Sequence, residues 1–264
     1  MSLPWTSSLF LQVGPEGIAG TLSTGWPRPR SICASSVSAG EGSSAALDGE
    51  ALQAVLDELA SASRLRGASL VVEVADPLVQ FDVAEGDFAA LGARQLQAIA
   101  LACMGELLGS AVAEHEVRWS LQADERHLVI AALPRALIAA LAEAARLRGV
   151  RLASVQPAFA RRWNAYAASL ATPAALFAST SGAHAVVACV LEQALCAVST
   201  GPWQDSGAAA PSAGLARLDE RAERLLASLG VEATDALACM LVGAPADAAA
   251  SSRWTVIEPS GVPA

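Results

Sequence analysis

Glu73, Asp76, Asp82 and Glu85 flank two successive apolar runs, a spacing that could set carboxylates across a turn as general acid and base. Carboxylates at strand ends are ordinarily solvated, and that plainer reading is preferred. The three histidines, His115, His127 and His184, are dispersed on the starts of expected strands. His115-Glu116 opens like a zinc-protease motif, but Trp119 stands where its second histidine belongs. Cys33, Cys103, Cys189, Cys196 and Cys239 include no C-x-x-C pair, so no metal site is expected, and a reduced, cytoplasmic setting is. No G-x-S-x-G elbow presents a serine nucleophile. Gly40-Glu41-Gly42 begins a partial G-x-G-x-x-G that has Ala45 for its last glycine and reads as a linker.

All 17 basic residues are arginine. Without lysine there is no P-loop lysine, no Schiff base and no lysine general base. A net charge of −9 and an isoelectric point near 4.8 argue against nucleic-acid binding, which runs on a basic face. No catalytic residue, metal or cofactor is assigned.

The elements that must position any site follow from periodicity. The 264 residues are 53% hydrophobic, and mean hydropathy is +0.42, but alanine carries much of both figures. No 18 uninterrupted strongly apolar residues occur, so no spanning helix is expected, and the N-terminus lacks the charge and apolar core of a secretory signal. Residues 8–26 read as a strand, a turn at Gly14-Pro15-Glu16-Gly17 and a returning strand that closes on Ser23-Thr24-Gly25-Trp26. Residues 175–203 read as a strand, a turn at Ser179-Thr180-Ser181-Gly182 and two more strands that close on Ser199-Thr200-Gly201-Pro202-Trp203. A hairpin that recurs in both halves points to a duplicated domain.

Asp48 caps a helix whose Leu52, Val55, Leu56 and Leu59 share one face. The β-branched run 68–75 is a central strand. Residues 78–83, a helix over 91–108 and residues 115–122 form an inserted unit, after which 127–133 is expected as the next strand of the first sheet. A helix from Pro134 to Gly149, a strand over 150–155 and a helix over 159–168 complete the first domain. The second half adds a helix up to Leu229, a strand over 236–242 and a last strand near Trp254. The expectation is an α/β chain of two RNase H-like domains. Residues 1–168 form the first, with an insertion over about 76–123, and residues 169–264 form a shortened second.

Several stretches carry a family resemblance: residues 9–22, residues 70–83 with the turn Asp76-Pro77-Leu78-Val79, and residues 149–157. The second hairpin and Leu241-Val242-Gly243-Ala244 complete the set. Through them the chain resembles the actin-like cytoplasmic proteins of type IV pilus assembly platforms and the cytoplasmic domain of the type II secretion L component. That resemblance implies an actin-like fold and a protein partner, either a short cytoplasmic segment of a membrane-bound assembly protein or the motor ATPase. The secretion component continues into a spanning helix, and the usual pilus protein is longer, so the chain departs from both.

In nucleotide-binding members of the superfamily each hairpin begins with an Asp and a Gly that hold metal and phosphates, and a late Gly-Gly packs on adenosine. Here the resemblance places Gln12 and Gly14 at the first position and Ser179, Ser181 and Gly182 at the second. Gly243 is followed by Ala244 at the third. Gln and Ser supply no formal charge for a divalent cation, so the cleft reads as degenerate, although the Gly14 and Gly182 amides could still cradle an anion. Magnesium-dependent turnover would need Asp76, Glu192 or Asp235 as a replacement carboxylate. A stand-alone regulatory protein is a further alternative. For partner binding, Trp5 is a candidate anchor, and Arg161-Arg162-Trp163 reads either as groove lining or as a solvated helix face. Trp26 and Trp203 are expected to plug the base of each half's sheet.

Overall fold

The computed structural model describes residues 7–24, 30–38, 49–62, 65, 67–170, 172–204, 211–232, 237–244 and 253–257. Trp5, Trp26, residues 40–45, Asp48 and Asp235 lie outside them. In chain order the first elements are β1 (Ser7–Gly14), β2 (Gly17–Thr24), β3 (Arg30–Ser38), α1 (Gly49–Ala62), β4 (Ser69–Val74) and β5 (Gln80–Glu85). There follow α2 (Ala93–Leu108), β6 (His115–Leu121), β7 (His127–Pro134), α3 (Arg135–Leu147), β8 (Arg151–Pro157) and α4 (Ala158–Tyr166). The remainder is β9 (Ala174–Ser181), β10 (His184–Leu191), β11 (Ala194–Pro202), α5 (Pro211–Ser228), β12 (Ala238–Val242) and β13 (Thr255–Ile257). The chain divides into two compact units. One holds the described residues up to Leu78 together with Pro134–Ala158, and the other holds Val79–Leu133 with the described residues from Phe159 on.

The first unit is built on the sheet β3-β2-β1-β4-β8. β1, β2 and β3 form an antiparallel meander, and β4 and β8 run parallel to β1. Leu9, Leu11 and Val13 alternate along β1 and are at most 1% exposed, which gives α1 an apolar face to cover with Leu52, Val55, Leu56 and Leu59. The closest approach is at Gly20, where a Cβ would fall 2.7 Å from Leu59 Cδ1 and 2.8 Å from Leu11 Cδ2. An Arg148–Asp57 ion pair fastens the end of α3 to α1.

The second unit repeats the order as β11-β10-β9-β12-β13, again a meander with two parallel strands beside its first member. The twofold RNase H-like architecture is therefore present, with β12 and β13 the shortened members. β9 is buried on both faces. Leu176 and Ala178 join Leu218, Leu226, Trp203 and Trp254 on one side, and Ala175 and Phe177 join Phe159 and Leu170 on the other.

Two expected boundaries are corrected. Residues 127–133 do not extend the first sheet: β7 pairs antiparallel with β5, Val83 opposite Val129, in a separate sheet β5-β7-β6. The insertion thus runs to Leu133, and β8 takes the fifth place in the first sheet. The first domain also ends earlier than residue 168, because α4 packs on the second sheet. An edge-to-face ladder explains both placements. Phe81 of β5 stands 5.5 Å from Phe159, Phe159 stands 5.7 Å from Phe177, and Trp163 stands 5.4 Å from Phe177.

α2 covers the other face of the three-stranded sheet with Leu96, Ala100 and Met104. With the 3-10 turns that follow, it makes Ala93–Glu114 a stretch of 22 residues that holds an 18-residue window of mean hydropathy 1.6, long and apolar enough by composition to cross a membrane. Its α-helical part is 16 residues, about 24 Å against a hydrocarbon core of about 30 Å, and Gly109 ends it with φ 58° and ψ −134°, a pair that favours glycine.

Candidate functional site

The parallel pairing of β1 and β4 sets Gln12 opposite Glu73 at the C-terminal ends of both strands. The Gln12 side-chain amide donates to Glu73 Oε1 at 3.2 Å. Glu73 and Asp76 are 8% and 3% exposed, so the solvated reading fails for these two carboxylates. Glu73 lies on β4, and Asp76 opens the 3-10 turn that follows it. Beside them the Ala75 N–H donates to the Val13 carbonyl at 2.8 Å, and a Cβ at Gly14 would stand 3.3 Å from Ala75 Cβ. A carboxyl group, absent from β1, thus stands on the neighbouring strand β4.

At the second hairpin, β9 turns into β10 through Gly182 and Ala183, with Ser181 opposite His184. Gly182 has φ 58°, a conformation that favours glycine, and its carbonyl accepts from Trp203 Nε1 at 2.9 Å. Trp203 is buried in the α5 side of the core, and its backbone N–H donates to the Ala183 carbonyl at 2.9 Å, so it stands at the β9–β10 turn and not at the base where it is expected. Arg162 reaches the same hairpin from α4. Its Nη1 donates to Ser179 Oγ at 2.8 Å and to the Thr180 carbonyl, and Ser179 has no exposed surface. Gly243, at the end of β12, closes on this point: a Cβ there would fall 2.9 Å from the Thr180 carbonyl oxygen and 3.0 Å from Arg162 Nη1.

The structure therefore gathers Arg162, Ser179 and Gly243 around one guanidinium, with Ser181 and Gly182 next along the turn. Both acceptors on Arg162 are neutral, so the hairpin carries a fixed positive charge. Among the described residues, its Nη2 and Nε donate to no protein acceptor. A guanidinium so placed attracts an anion and repels a divalent cation.

The doublet expected to bind a partner turns largely inward: Arg162 bonds its own sheet, and Trp163 packs on Phe177. Arg161 is half-buried beside them. Of the replacement carboxylates, Asp76 lies beside Gln12 and Glu73, and Glu192 lies in the β10–β11 turn with φ 49°; of the four acid–base candidates, Asp82 and Glu85 belong to β5, where Glu85 pairs with Arg126 at 3.2 Å.

Another group of reactive types meets away from the hairpins. Asp124 Oδ2 lies 2.5 Å and Cys196 Sγ 3.9 Å from His127, both on Nδ1. One nitrogen cannot relay a proton between the two, and burial pushes the Cys196 thiol up, so the trio does not activate a nucleophile. Burial also works to raise Asp124, but hydrogen bonds from the His127 ring and from the Arg126 and His127 amides outweigh it and hold the carboxyl below its ordinary range. Among the described residues no group of three His, Cys, Asp or Glu side chains is arranged to hold a metal ion.

No protein-family model matches the sequence, and no curated protein matches it. Solved structures do. The chain is similar to a chain of the PilM-PilN type IV pilus biogenesis complex, at 15% identity over 94% of this chain and 84% of that one, with TM-score 0.63. It is similar to a Bacteroides thetaiotaomicron protein with an actin-like ATPase fold and unknown function, at 10% identity over 94% and 87% of the two chains, with TM-score 0.57. The cytoplasmic domain of EpsL, an inner membrane component of the type II secretion system of Vibrio cholerae, matches at 11% identity over 96% and 84%, with TM-score 0.52. The fold is actin-like, as the sequence resemblance implied.

Proposed function

We propose that this chain is a non-catalytic, actin-like scaffold whose degenerate nucleotide site docks a cytoplasmic segment of a membrane-anchored partner, in a pilus or type II secretion-like assembly. On this reading it works in the cytoplasm and reaches the inner membrane through that partner. The observation that carries it is the Arg162 guanidinium on Ser179 and Thr180, a fixed cation at the hairpin where the actin-like pattern would place metal and phosphates. The likeness to the pilus and secretion structures supports the pathway. An acidic side chain of an extended peptide suits the remaining donors of Arg162, and main-chain pairing at a sheet edge would hold the rest.

The test is affinity capture of detergent-solubilised inner-membrane proteins on the purified chain, followed by titration of the captured protein's cytoplasmic peptide. Saturable peptide binding that weakens at least about tenfold in Arg162→Gln supports docking at this site. Binding indifferent to that substitution, or no membrane protein retained, contradicts it.

One observation favours a second reading, an ATPase or small-molecule kinase: the buried pair Glu73 and Asp76 beside Gln12. Magnesium-dependent phosphate release from ATP that disappears in Asp76→Asn would establish that reading in place of the first.

A further inference from the structure

α2 leaves an apolar face uncovered. Leu96, Ala100 and Met104 are buried against the three-stranded sheet, yet 17% of the most apolar window in Ala93–Glu114 is buried. Leu101 on the outward face is 41% exposed, and Leu107 at the helix end is 57% exposed. Exposed apolar surface of this kind marks an interaction site when it is contiguous. Arg94, Ala98, Leu101, Ala102 and Gly105 recur at helical spacing along that outward face. Glycine weakens a helix interior relative to alanine, and a Cβ at Gly105 would meet nothing within 4 Å, so packing inside this chain does not require it.

The charges say what covers the face. Arg94 and Glu106 stand near opposite ends of α2, both exposed, and among the described residues neither has an ion-pair partner. Two α2 helices packed antiparallel about a twofold axis are self-complementary. The register that sets Ala98 opposite Ala102 also sets Arg94 opposite Glu106, because both pairs are centred on position 100. The small side chains then let the backbones approach, and each end closes with an Arg–Glu pair. A lipid surface fits less well, since interfacial helices carry a basic polar face, whereas Arg94 is the one basic residue of α2 and the chain's net charge is −9.

We propose that α2 is the contact of an antiparallel homodimer, a second copy of this chain covering Leu101, Ala98 and Ala102. One helix per copy gives an interface below standard size, so the association is weak and reversible. Sedimentation velocity of the full chain across a wide concentration range at low salt tests it. The wild type is expected to shift from monomer to dimer with concentration, Arg94→Glu and Glu106→Arg each to raise the dissociation constant at least about tenfold, and the double swap to restore it. Both substitutions are at exposed positions, and circular dichroism checks the fold of each variant. A chain monomeric throughout, a dimer indifferent to the single swaps, or a double swap without rescue overturns the proposal. So does sedimentation of the monomeric chain with anionic phospholipid vesicles.

Discussion

At the scale of residues, the site turns on partners that only folding brings together. Ser179 and Gly243 are legible in the sequence because the hairpin pattern singles them out, but the donor that meets them, Arg162, is 17 residues from Ser179 on another element. Its doublet with Arg161 looks like an outward-facing basic patch. Gln12 is likewise legible as a substitution, whereas its bond to Glu73 crosses 61 residues and exists because β1 and β4 pair in parallel. Removing Arg162 leaves the fully buried Ser179 hydroxyl and the Thr180 carbonyl without their donor, and orphaning buried polar groups costs about 1–3 kcal/mol. Arg162→Ala is therefore expected to lower urea stability by that amount. Adding Ser179→Ala to Arg162→Ala recovers part of the loss, because the orphaned hydroxyl goes with it. If Arg162→Ala leaves the denaturation midpoint unchanged, the guanidinium is not held as described.

Among elements, alternation and helical spacing set most boundaries to within a residue or two, and burial follows the expected face of α1. What periodicity could not decide was partnership. The run 127–133 suits any sheet, and its place beside β5 is fixed by Phe81 and Val129 packing towards Phe159 and Phe177. The β10–β11 turn is also silent in the sequence. Glu192 and Gln193 take φ 49° and 68°, left-handed values that a two-residue hairpin normally gives to Asn or Gly. Each non-glycine residue there costs about 1–2 kcal/mol. Gln193→Gly should raise stability by about 1 kcal/mol, a gain of about 2–4 °C in thermal midpoint for a chain of this size. An unchanged or lowered midpoint would show that the turn is not strained.

For the molecule as a whole, the two sheets share one order, but the repeated Ser-Thr-Gly phrases do not correspond: Ser23-Thr24 ends β2, the second strand of its sheet, whereas Ser199-Thr200-Gly201 lies in β11, the third strand of the other. Covalent order and packing diverge in the insertion, which leaves the first half between Leu78 and Pro134 and joins the compact unit of the second. The functional reading rests on charge at equivalent places in the repeat. An amide, Gln12, stands on the first hairpin, and a guanidinium is bound at the second. Calorimetric titration of ATP into the purified chain, with magnesium and then with EDTA, tests this most directly. No binding, or weak binding that magnesium does not strengthen, is expected, because the Arg162 guanidinium on the second hairpin repels a divalent cation. Binding that is tight with magnesium and lost with EDTA would contradict it.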